Sequence, residues 1–210
     1  VLHTLGWAER TRGHLDRAEA LLERALAIRE RVYGPQHSLV GTSLVNLGDL
    51  RRKQGRFEQG AALLERALGI LTAAHGARSE KVAITLQKLG HLRLAQLDAA
   101  GALVHYQRAL ELRRALLGDA HAMTLYNRSL VGMALAQLHR CGQARPLLEE
   151  AAAGLEKAVG TGHSDYVGTL APLAECDLVE GKPADALRRL ERAAAYEEEK
   201  GKTPFDLGTT

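Results

Sequence analysis

The stretch LGDLRRKQGRFEQGAALLERA, residues 47–67, decides the fold because its first and last positions recur at a fixed interval. Leu47-Gly48 and Ala67 lie twenty residues apart, and the same trio returns at steps of 42 residues along the chain. The other copies are Leu5-Gly6 with Ala25, Leu89-Gly90 with Ala109, Val131-Gly132 with Ala151, and Leu173-Ala174 with Ala193. A fixed period of this length is typical of proteins built from stacked structural repeats.

Each repeat contains the pattern of two helices joined by a short turn. In residues 38–54, apolar side chains recur at spacings of three and four, as they do on one face of a helix. Gly55 follows, and glycine readily adopts the left-handed conformation that often ends a helix. Phe57 then begins a second segment that ends near His75-Gly76. Because short turns reverse the chain direction, the pattern predicts an all-α stack of antiparallel helix pairs.

The period divides the chain into five repeats, which we expect to form a single array over residues 1–201. Their approximate bounds are 1–35, 36–77, 78–119, 120–161 and 162–201, and residues 202–210 are interpreted as the start of a truncated further helix or as a linker. The turns within the repeats are expected at Gly13, Gly55, Leu97-Asp98, Cys141-Gly142 and Gly181. Pro172 falls within the predicted first helix of repeat 5, where it predicts either a bend or a late start of that helix.

Small residues occupy one position in each of the two helices of every repeat. Small side chains let neighbouring helices approach closely, and a larger one overpacks the contact at a cost of roughly 1–3 kcal/mol. The residues predicted to fill the layer beside them are Leu22, Leu64, Tyr106, Leu148 and Leu190.

Three of the nine histidines, His37, His121 and His163, share one repeat position in the loop before a first helix. We expect them to satisfy backbone groups there, and Ser79 is a predicted N-cap at the equivalent place. His139 and Cys141 lie close in sequence but lack the further ligands of a zinc site. The sequence therefore predicts structural roles for the histidines, with no metal and no other cofactor.

Charge and motif content argue against several classes of function. The formal net charge is +3, and Lys and Arg are mixed with Glu rather than gathered in a basic patch, although the pI of about 9.0 points the other way. No apolar run reaches the roughly 20 residues that span a bilayer. The chain lacks a phosphate-binding glycine loop, an HExxH motif and a GxSxG motif, so no enzymatic activity is predicted.

The cysteine pattern indicates the redox environment in which the protein folds. Cys141 and Cys176 show neither CxxC spacing nor the pattern of a disulfide framework, and the 210 residues contain no signal-peptide pattern. We therefore expect two reduced thiols and a cytoplasmic location.

The segments RALAIR at residues 24–29 and GPQH at residues 34–37 recur in related form at residues 66–70, 108–113 and 118–121. They resemble the tetratricopeptide repeat in the 42-residue form found in kinesin light chains and many bacterial proteins, and the resemblance covers essentially the whole chain. It implies a right-handed α-α superhelix, or solenoid, of five helix-turn-helix repeats whose first helices line a concave face. In that family an Asn before the core Leu often hydrogen-bonds a bound peptide. Asn46 matches it, and the other repeats carry Thr4, Lys88, Leu130 and Pro172 there.

Carried over by position, the resemblance implies a peptide-binding groove on the concave face. The candidate residues are Trp7, Arg10, Asn46, Asp49, Arg52, Lys53, Lys88, His91, Tyr126, Leu130 and Met133. The N-terminal half of this set is basic and the C-terminal half apolar, which predicts a partner segment with an acidic end and a hydrophobic end. Trp7 is alternatively covered by a preceding repeat.

The sequence therefore predicts a protein- or peptide-binding scaffold without catalysis, and no nucleic-acid or membrane partner. An alternative makes the array a regulatory or docking arm of a larger bacterial signalling protein such as a serine/threonine kinase, because its repeats resemble the C-terminal regions of such proteins. A third interpretation is self-association, since truncated ends expose apolar surface that capping repeats normally cover.

Overall fold

The computed structural model describes residues 2–11 and 13–201, with the backbone alone at residues 2, 3, 7, 10, 11 and 201. This part of the chain contains eleven α-helices and no strand. In chain order they are α1 (Leu2–Thr11), α2 (Leu15–Tyr33), α3 (Ser38–Lys53), α4 (Phe57–His75), α5 (Glu80–Ala95), α6 (Ala99–Leu117), α7 (Ala122–Gln137), α8 (Cys141–Val159), α9 (Ser164–Val167), α10 (Leu170–Val179) and α11 (Pro183–Gly201).

The chain divides into two compact units, residues 1–116 and 117–210, with the boundary just before the last residue of α6. In the first unit α1 packs on α2 and α3 on α4, while contacts of α2 with α3 and of α4 with α5 join successive pairs. In the second unit α7 packs on α8 and α10 on α11, and contacts between α8 and α10 join the two pairs. The predicted all-α class of stacked helix pairs is confirmed within each unit, and the single array over residues 1–201 stays a prediction.

Small residues in the first helices allow the close packing predicted for them. A Cβ atom on Gly48 would lie 2.7 Å from Leu64 Cγ, so a larger residue there would force the two helices apart. Four of the five predicted layer residues are at most 1% exposed, namely Leu22, Leu64, Tyr106 and Leu148. The prediction is wrong for Leu190, which is 42% exposed because no helix among the described residues follows α11 to cover it.

The histidines before the first helices act as N-caps, which confirms their predicted structural role. Nδ1 of His37, His121 and His163 each accepts a hydrogen bond of 3.2 Å from the backbone N–H two residues ahead. Ser79 occupies the same position before α5, and its Oγ accepts from the N–H of Val82 at 3.4 Å. These caps satisfy backbone donors that the first turn of a helix otherwise leaves unpaired.

The turn between the two helices of each repeat contains one residue with positive φ. Glycine fills this position at residues 13, 55 and 181, whereas Leu97 (φ 63°) and His139 (φ 56°) fill it in repeats 3 and 4. The turn predicted at Cys141-Gly142 therefore lies two residues too late, because Cys141 is already the first residue of α8. Leu97 is 92% exposed, so its side chain gains no packing that offsets the backbone strain.

The first helix of repeat 5 is interrupted, as one of the two alternatives for Pro172 predicted. Helix α9 ends at Val167, and α10 begins at Leu170 with Pro172 as its third residue. Proline lacks an N–H and its ring clashes with the carbonyl group four residues earlier, here that of Gly168. The main first helix of this repeat therefore starts late.

Ion pairs join successive helix pairs, and their polarity reverses along the chain. In the first unit Glu19 of α2 pairs with Arg51 of α3. Three periods later, at the equivalent positions, Arg145 of α8 pairs with Asp177 of α10 at 2.8 Å. Asp177 is buried and also accepts a hydrogen bond of 2.8 Å from Arg189 Nε. These two interfaces therefore carry charge-assisted contacts of opposite polarity. The second helix supplies the acid at the α2–α3 interface and the base at the α8–α10 interface.

Cys141 and Cys176 form a disulfide, so the expectation of two reduced thiols is wrong. The two residues are 35 positions apart in sequence, and their Cα atoms lie 5.2 Å apart. Stacking of α10 on α8 brings them together, a contact that sequence spacing alone does not reveal. Both cysteines are buried.

Candidate functional site

The predicted groove residues lie on the first helices of both units. Asn46, Asp49, Arg52 and Lys53 belong to α3, while Lys88 and His91 belong to α5. Tyr126, Leu130 and Met133 belong to α7 in the second unit. Trp7 and Arg10 belong to α1, but their side chains lie outside the described residues.

Asp49 brings three of the predicted residues of the first unit together. Its carboxylate is 2% exposed, and Oδ1 accepts from Arg52 Nε at 3.1 Å, with Arg52 Nη2 at 3.0 Å. Oδ2 accepts from Lys88 Nζ at 3.2 Å, across from α3 to α5. The Arg52 and Lys88 side chains keep 23% and 26% of their surface exposed. One buried carboxylate therefore positions two partly exposed cations, and the exposed Lys53 adds to the excess of positive charge.

His91 is largely buried and is held at both ring nitrogens. The Gln87 Oε1 accepts from Arg113 Nη1 at 2.7 Å, which leaves the Gln87 amide nitrogen to donate to His91 Nε2 at 3.2 Å. His91 Nδ1–H then donates to the hydroxyl oxygen of Tyr106 at 2.7 Å. Burial, followed by the positive charges of Lys88 and Arg52, lowers the pKa of His91 from 6.5 to about 4. His91 is therefore neutral at pH 7 although it lies near Lys88 and Arg52. Its hydrogen bond to Tyr106 holds the Tyr106 ring against Gly90.

The apolar residues of the predicted groove differ in how far solvent or a partner can reach them. Leu130 is 5% exposed and belongs to the interior of the second unit. Tyr126 and Met133, on the same helix, are partly exposed and can contact a partner. Among the predicted groove residues whose side chains are described, the accessible polar groups lie mainly on α3 and α5.

Formal charge is divided unequally between the two units. Residues 1–116 contain 18 Lys and Arg residues against 11 Asp and Glu residues, a net charge of +7. Residues 117–210 contain 10 against 14, a net charge of −4. The overall +3 is therefore the difference between a basic and an acidic unit, a signal that counting charges by repeat could have found.

Metal binding and membrane insertion are two further possibilities for a helical chain. No group of three or more His, Cys, Asp or Glu side chains in the described part of the chain is arranged to hold a metal ion. Within the same residues, none of the helices has the length and apolar character needed to cross a membrane.

Comparison with known proteins places the chain among repeat proteins. The family model described as tetratricopeptide repeat matches residues 1–73, 39–115 and 82–157. No curated protein matches the chain.

Solved structures with the same fold are distant in sequence. Kinesin-light-chain TPR-like repeats from Podospora anserina share 19% identity at a TM-score of 0.74, and the match covers 96% of each chain. BtubC from P. vanneervenii shares 21% identity at a TM-score of 0.77 and covers 96% of this chain and 80% of its own. YrrB, a TPR protein with an unusual peptide-binding site, shares 17% at a TM-score of 0.54, covering 94% and 85%. At these identities the likeness confirms the α-α solenoid fold class.

Proposed function

The chain belongs to the tetratricopeptide repeat family, and from this premise we propose that its first helices bind an acidic segment of a partner protein. The fold is a repeat scaffold of a kind that binds peptides or proteins, and YrrB, which shares it, has a peptide-binding site. The observation that carries the proposal is the Asp49 arrangement, which holds Arg52 and Lys88 side by side on α3 and α5. Cations fixed in this way meet carboxylates with little loss of side-chain freedom.

The charge of the whole first unit supports the same partner. A net charge of +7 on residues 1–116 attracts an acidic segment and orients it before contact. In the second unit, taken by itself, Tyr126 and Met133 of α7 are partly exposed apolar side chains that can contact a hydrophobic part of a partner. We propose no catalytic step for this site, since binding and orientation account for its chemistry.

Fluorescence anisotropy with a labelled peptide, glutamates at one end and leucines at the other, tests the proposal. The site variant combines Asp49→Asn with Arg52→Gln, Lys53→Gln and Lys88→Gln, so that no buried carboxylate is left without its cations. The matched control combines Arg24→Gln with Arg31→Gln on the exposed face of α2, which changes the net charge by the same amount. We expect at least about fivefold weaker binding for the site variant and little change for the control. Equal weakening of both variants would overturn the proposed site.

The parent protein is the subject of a second proposal. The array acts as a regulatory or docking arm of a larger bacterial signalling protein, such as a serine/threonine kinase, a proposal that rests on the style of the repeats alone. The sequence of the gene that encodes this chain tests the proposal directly. A kinase domain encoded in the same reading frame supports the proposal, and a reading frame without any signalling domain removes it.

A cytoplasmic location is also proposed, on the sequence pattern. The Cys141–Cys176 disulfide is the opposing observation, because stable disulfides accumulate mainly in oxidising compartments. Fractionation of the native cell with thiols blocked at lysis tests the location. Recovery of the protein outside the cytoplasm would overturn it.

Another copy of the chain is a second class of partner. Leu190 is 42% exposed, whereas its equivalent Leu22 is 1% exposed against the next first helix. Leu5 is 48% exposed, whereas its equivalent Leu47 is 4% exposed against the preceding second helix. Leu22 and Leu47 belong to one core cluster, so we propose that Leu190 of one copy packs on Leu5 of the next. The opposite charges of the two units favour this head-to-tail direction.

Sedimentation of two exposed-surface variants tests the head-to-tail contact. Leu5→Glu blocks one end and Leu190→Glu the other, so we expect each variant alone to remain monomeric. A mixture of the two should form dimers, because each supplies the end that the other lacks, and these dimers should not grow further. Association of either variant alone would overturn this arrangement, as would a monomeric wild-type chain at high concentration.

A further inference from the structure

The disulfide occupies a position that the other repeats fill with apolar side chains. The positions equivalent to Cys141 hold Leu15, Phe57 and Ala99, and those equivalent to Cys176 hold Leu50, Leu92 and Ala134. Leu15 packs against the core cluster that contains Leu50, so this is a packing contact between the second helix of one repeat and the first helix of the next. Two cysteines at the same place contribute less apolar surface than two leucines, and the covalent bond replaces that packing.

In the repeat that the disulfide ties down, α10 buries Leu170, Leu173 and Ala174, whereas α11 is thinly packed. Its first helix is divided into the four-residue α9 and the ten-residue α10. Among the described residues of α11, Ala186 alone is fully buried, whereas α4 buries five residues including Leu64 and Ile70. Leu187 and Leu190 of α11 are both exposed. Little hydrophobic burial therefore holds α11 in place, so a cross-link that fixes its partner helix α10 against α8 has a large effect on local opening of the repeat.

We propose that Cys141 and Cys176 are a reversible thiol–disulfide site that fastens repeat 5, residues 162–201, to helix α8. In the oxidised state the bond locks α10 against α8. In the reduced state two small thiols remain in an apolar contact, and α10 and α11 open more often. Asp177, next to Cys176, keeps its ion pairs with Arg145 and Arg189, so reduction loosens repeat 5 without detaching it.

The chemistry requires a disulfide-containing partner, for which oxidised glutathione is the probe. The thiolate of Cys141, which is 5% exposed against 0% for Cys176, attacks one sulfur of glutathione disulfide and releases one reduced glutathione. The Cys176 thiolate then attacks the mixed disulfide at Cys141 and releases the second. Both cysteine thiols lose their protons, two glutathione thiols form, and the two electrons pass to glutathione. An excess of reduced thiol drives the same steps backwards.

Hydrogen exchange of the 210-residue chain, followed by mass spectrometry, tests the proposal. Reduction should raise the exchange rate of peptides from α10 and α11 by about 100-fold, from the usual effect of a disulfide on opening, and leave α3 and α4 unchanged. Glutathione disulfide should restore the slow exchange and lower the mass by about 2 Da. The double variant Cys141→Ala, Cys176→Ala should exchange at the reduced rate under both conditions.

Three outcomes would overturn the proposal. One is an unchanged exchange rate of α10 and α11 on reduction. The second is equal acceleration in both units, which would mean general unfolding. The third is full alkylation of both thiols after treatment with an excess of glutathione disulfide, which would show that the bond does not form. Circular dichroism of the reduced chain separates loosening from unfolding, because loosening preserves the helical signal.

Discussion

Individual residues in this chain carry backbone strain that their side chains do not offset. Leu97 and His139 adopt positive φ where the other three repeats have glycine, and the Leu97 side chain is almost entirely in solvent. The left-handed conformation costs an L-residue roughly 1–2 kcal/mol, a cost that glycine avoids. The turns of repeats 3 and 4 are therefore the places where a single substitution should stabilise the fold.

Leu97→Gly is expected to raise the free energy of unfolding by about 0.5–1 kcal/mol, after allowing for the greater freedom of glycine in the unfolded chain. Urea unfolding followed by circular dichroism measures the change. Leu97→Ala is the control, because it removes the same exposed side chain and keeps the strain. If both variants are equally stable, the strain at this turn is not the cause.

His91 makes the stability of the first unit depend on pH. Its folded pKa of about 4 lies below the ordinary 6.5, so the unfolded chain takes up a proton near pH 6.5 while the folded chain stays neutral. Stability therefore falls as the pH drops from 6.5 to 4, by about 3 kcal/mol from this group. Urea unfolding between about pH 7 and pH 4 should show a shallower loss for His91→Gln than for wild type. The exposed-site control His75→Gln should follow wild type, and parallel curves for all three chains would contradict the argument.

At the scale of helices, local patterns were predictable and contacts between repeats were not. The N-caps at His37 and Ser79 and the break at Pro172 depend on neighbours within a few residues, so the sequence alone indicates them. The disulfide and the buried position of Asp49 depend on how one helix pair stacks on the next. Sequence spacing does not report which side chains face each other across that interface, and the exposure of Leu190 depends on whether a further helix follows α11.

The reversed ion pairs allow an element-scale test of that stacking. Arg145→Glu places like charges beside the buried Asp177 and should lower the free energy of unfolding of the second unit by roughly 3–5 kcal/mol. The triple variant Arg145→Glu, Asp177→Arg, Arg189→Leu reproduces the residues found at Glu19, Arg51 and Leu63 in the first unit. Urea unfolding should show that the triple variant regains more than half of the free energy of unfolding that Arg145→Glu loses.

The triple variant also shows whether the stability of the interface depends on the order of the charges alone or on its geometry as well. A triple variant as unstable as the single one would mean that the two interfaces differ in geometry as well as in polarity. Arg145→Gln is the matched control, because it removes the charge without introducing repulsion and should fall between wild type and Arg145→Glu.

For the molecule as a whole, two units of opposite charge give binding a clear dependence on salt. The +7 of residues 1–116 acts on an acidic peptide over a distance that shrinks from about 14 Å to 4 Å as ionic strength rises from about 50 to 500 mM. Affinity for the glutamate–leucine peptide should fall by roughly tenfold over this range. A peptide with serine in place of each glutamate should bind weakly and almost independently of salt. An affinity for the glutamate–leucine peptide that does not change with salt would contradict an electrostatic binding site.

The opposite polarity of the Glu19–Arg51 and Arg145–Asp177 pairs also bears on which helices can stack as the chain folds. Identical repeats can stack in the wrong order, because every second helix then fits every first helix, and such errors trap repeat proteins during folding. Here a skipped arrangement that placed α2 against α10 would set Glu19 opposite Asp177, two carboxylates in a closed space. The reverse error, α8 against α3, would set Arg145 opposite Arg51. The charges at these two interfaces therefore disfavour both wrong pairings, because each would enclose two groups of like charge.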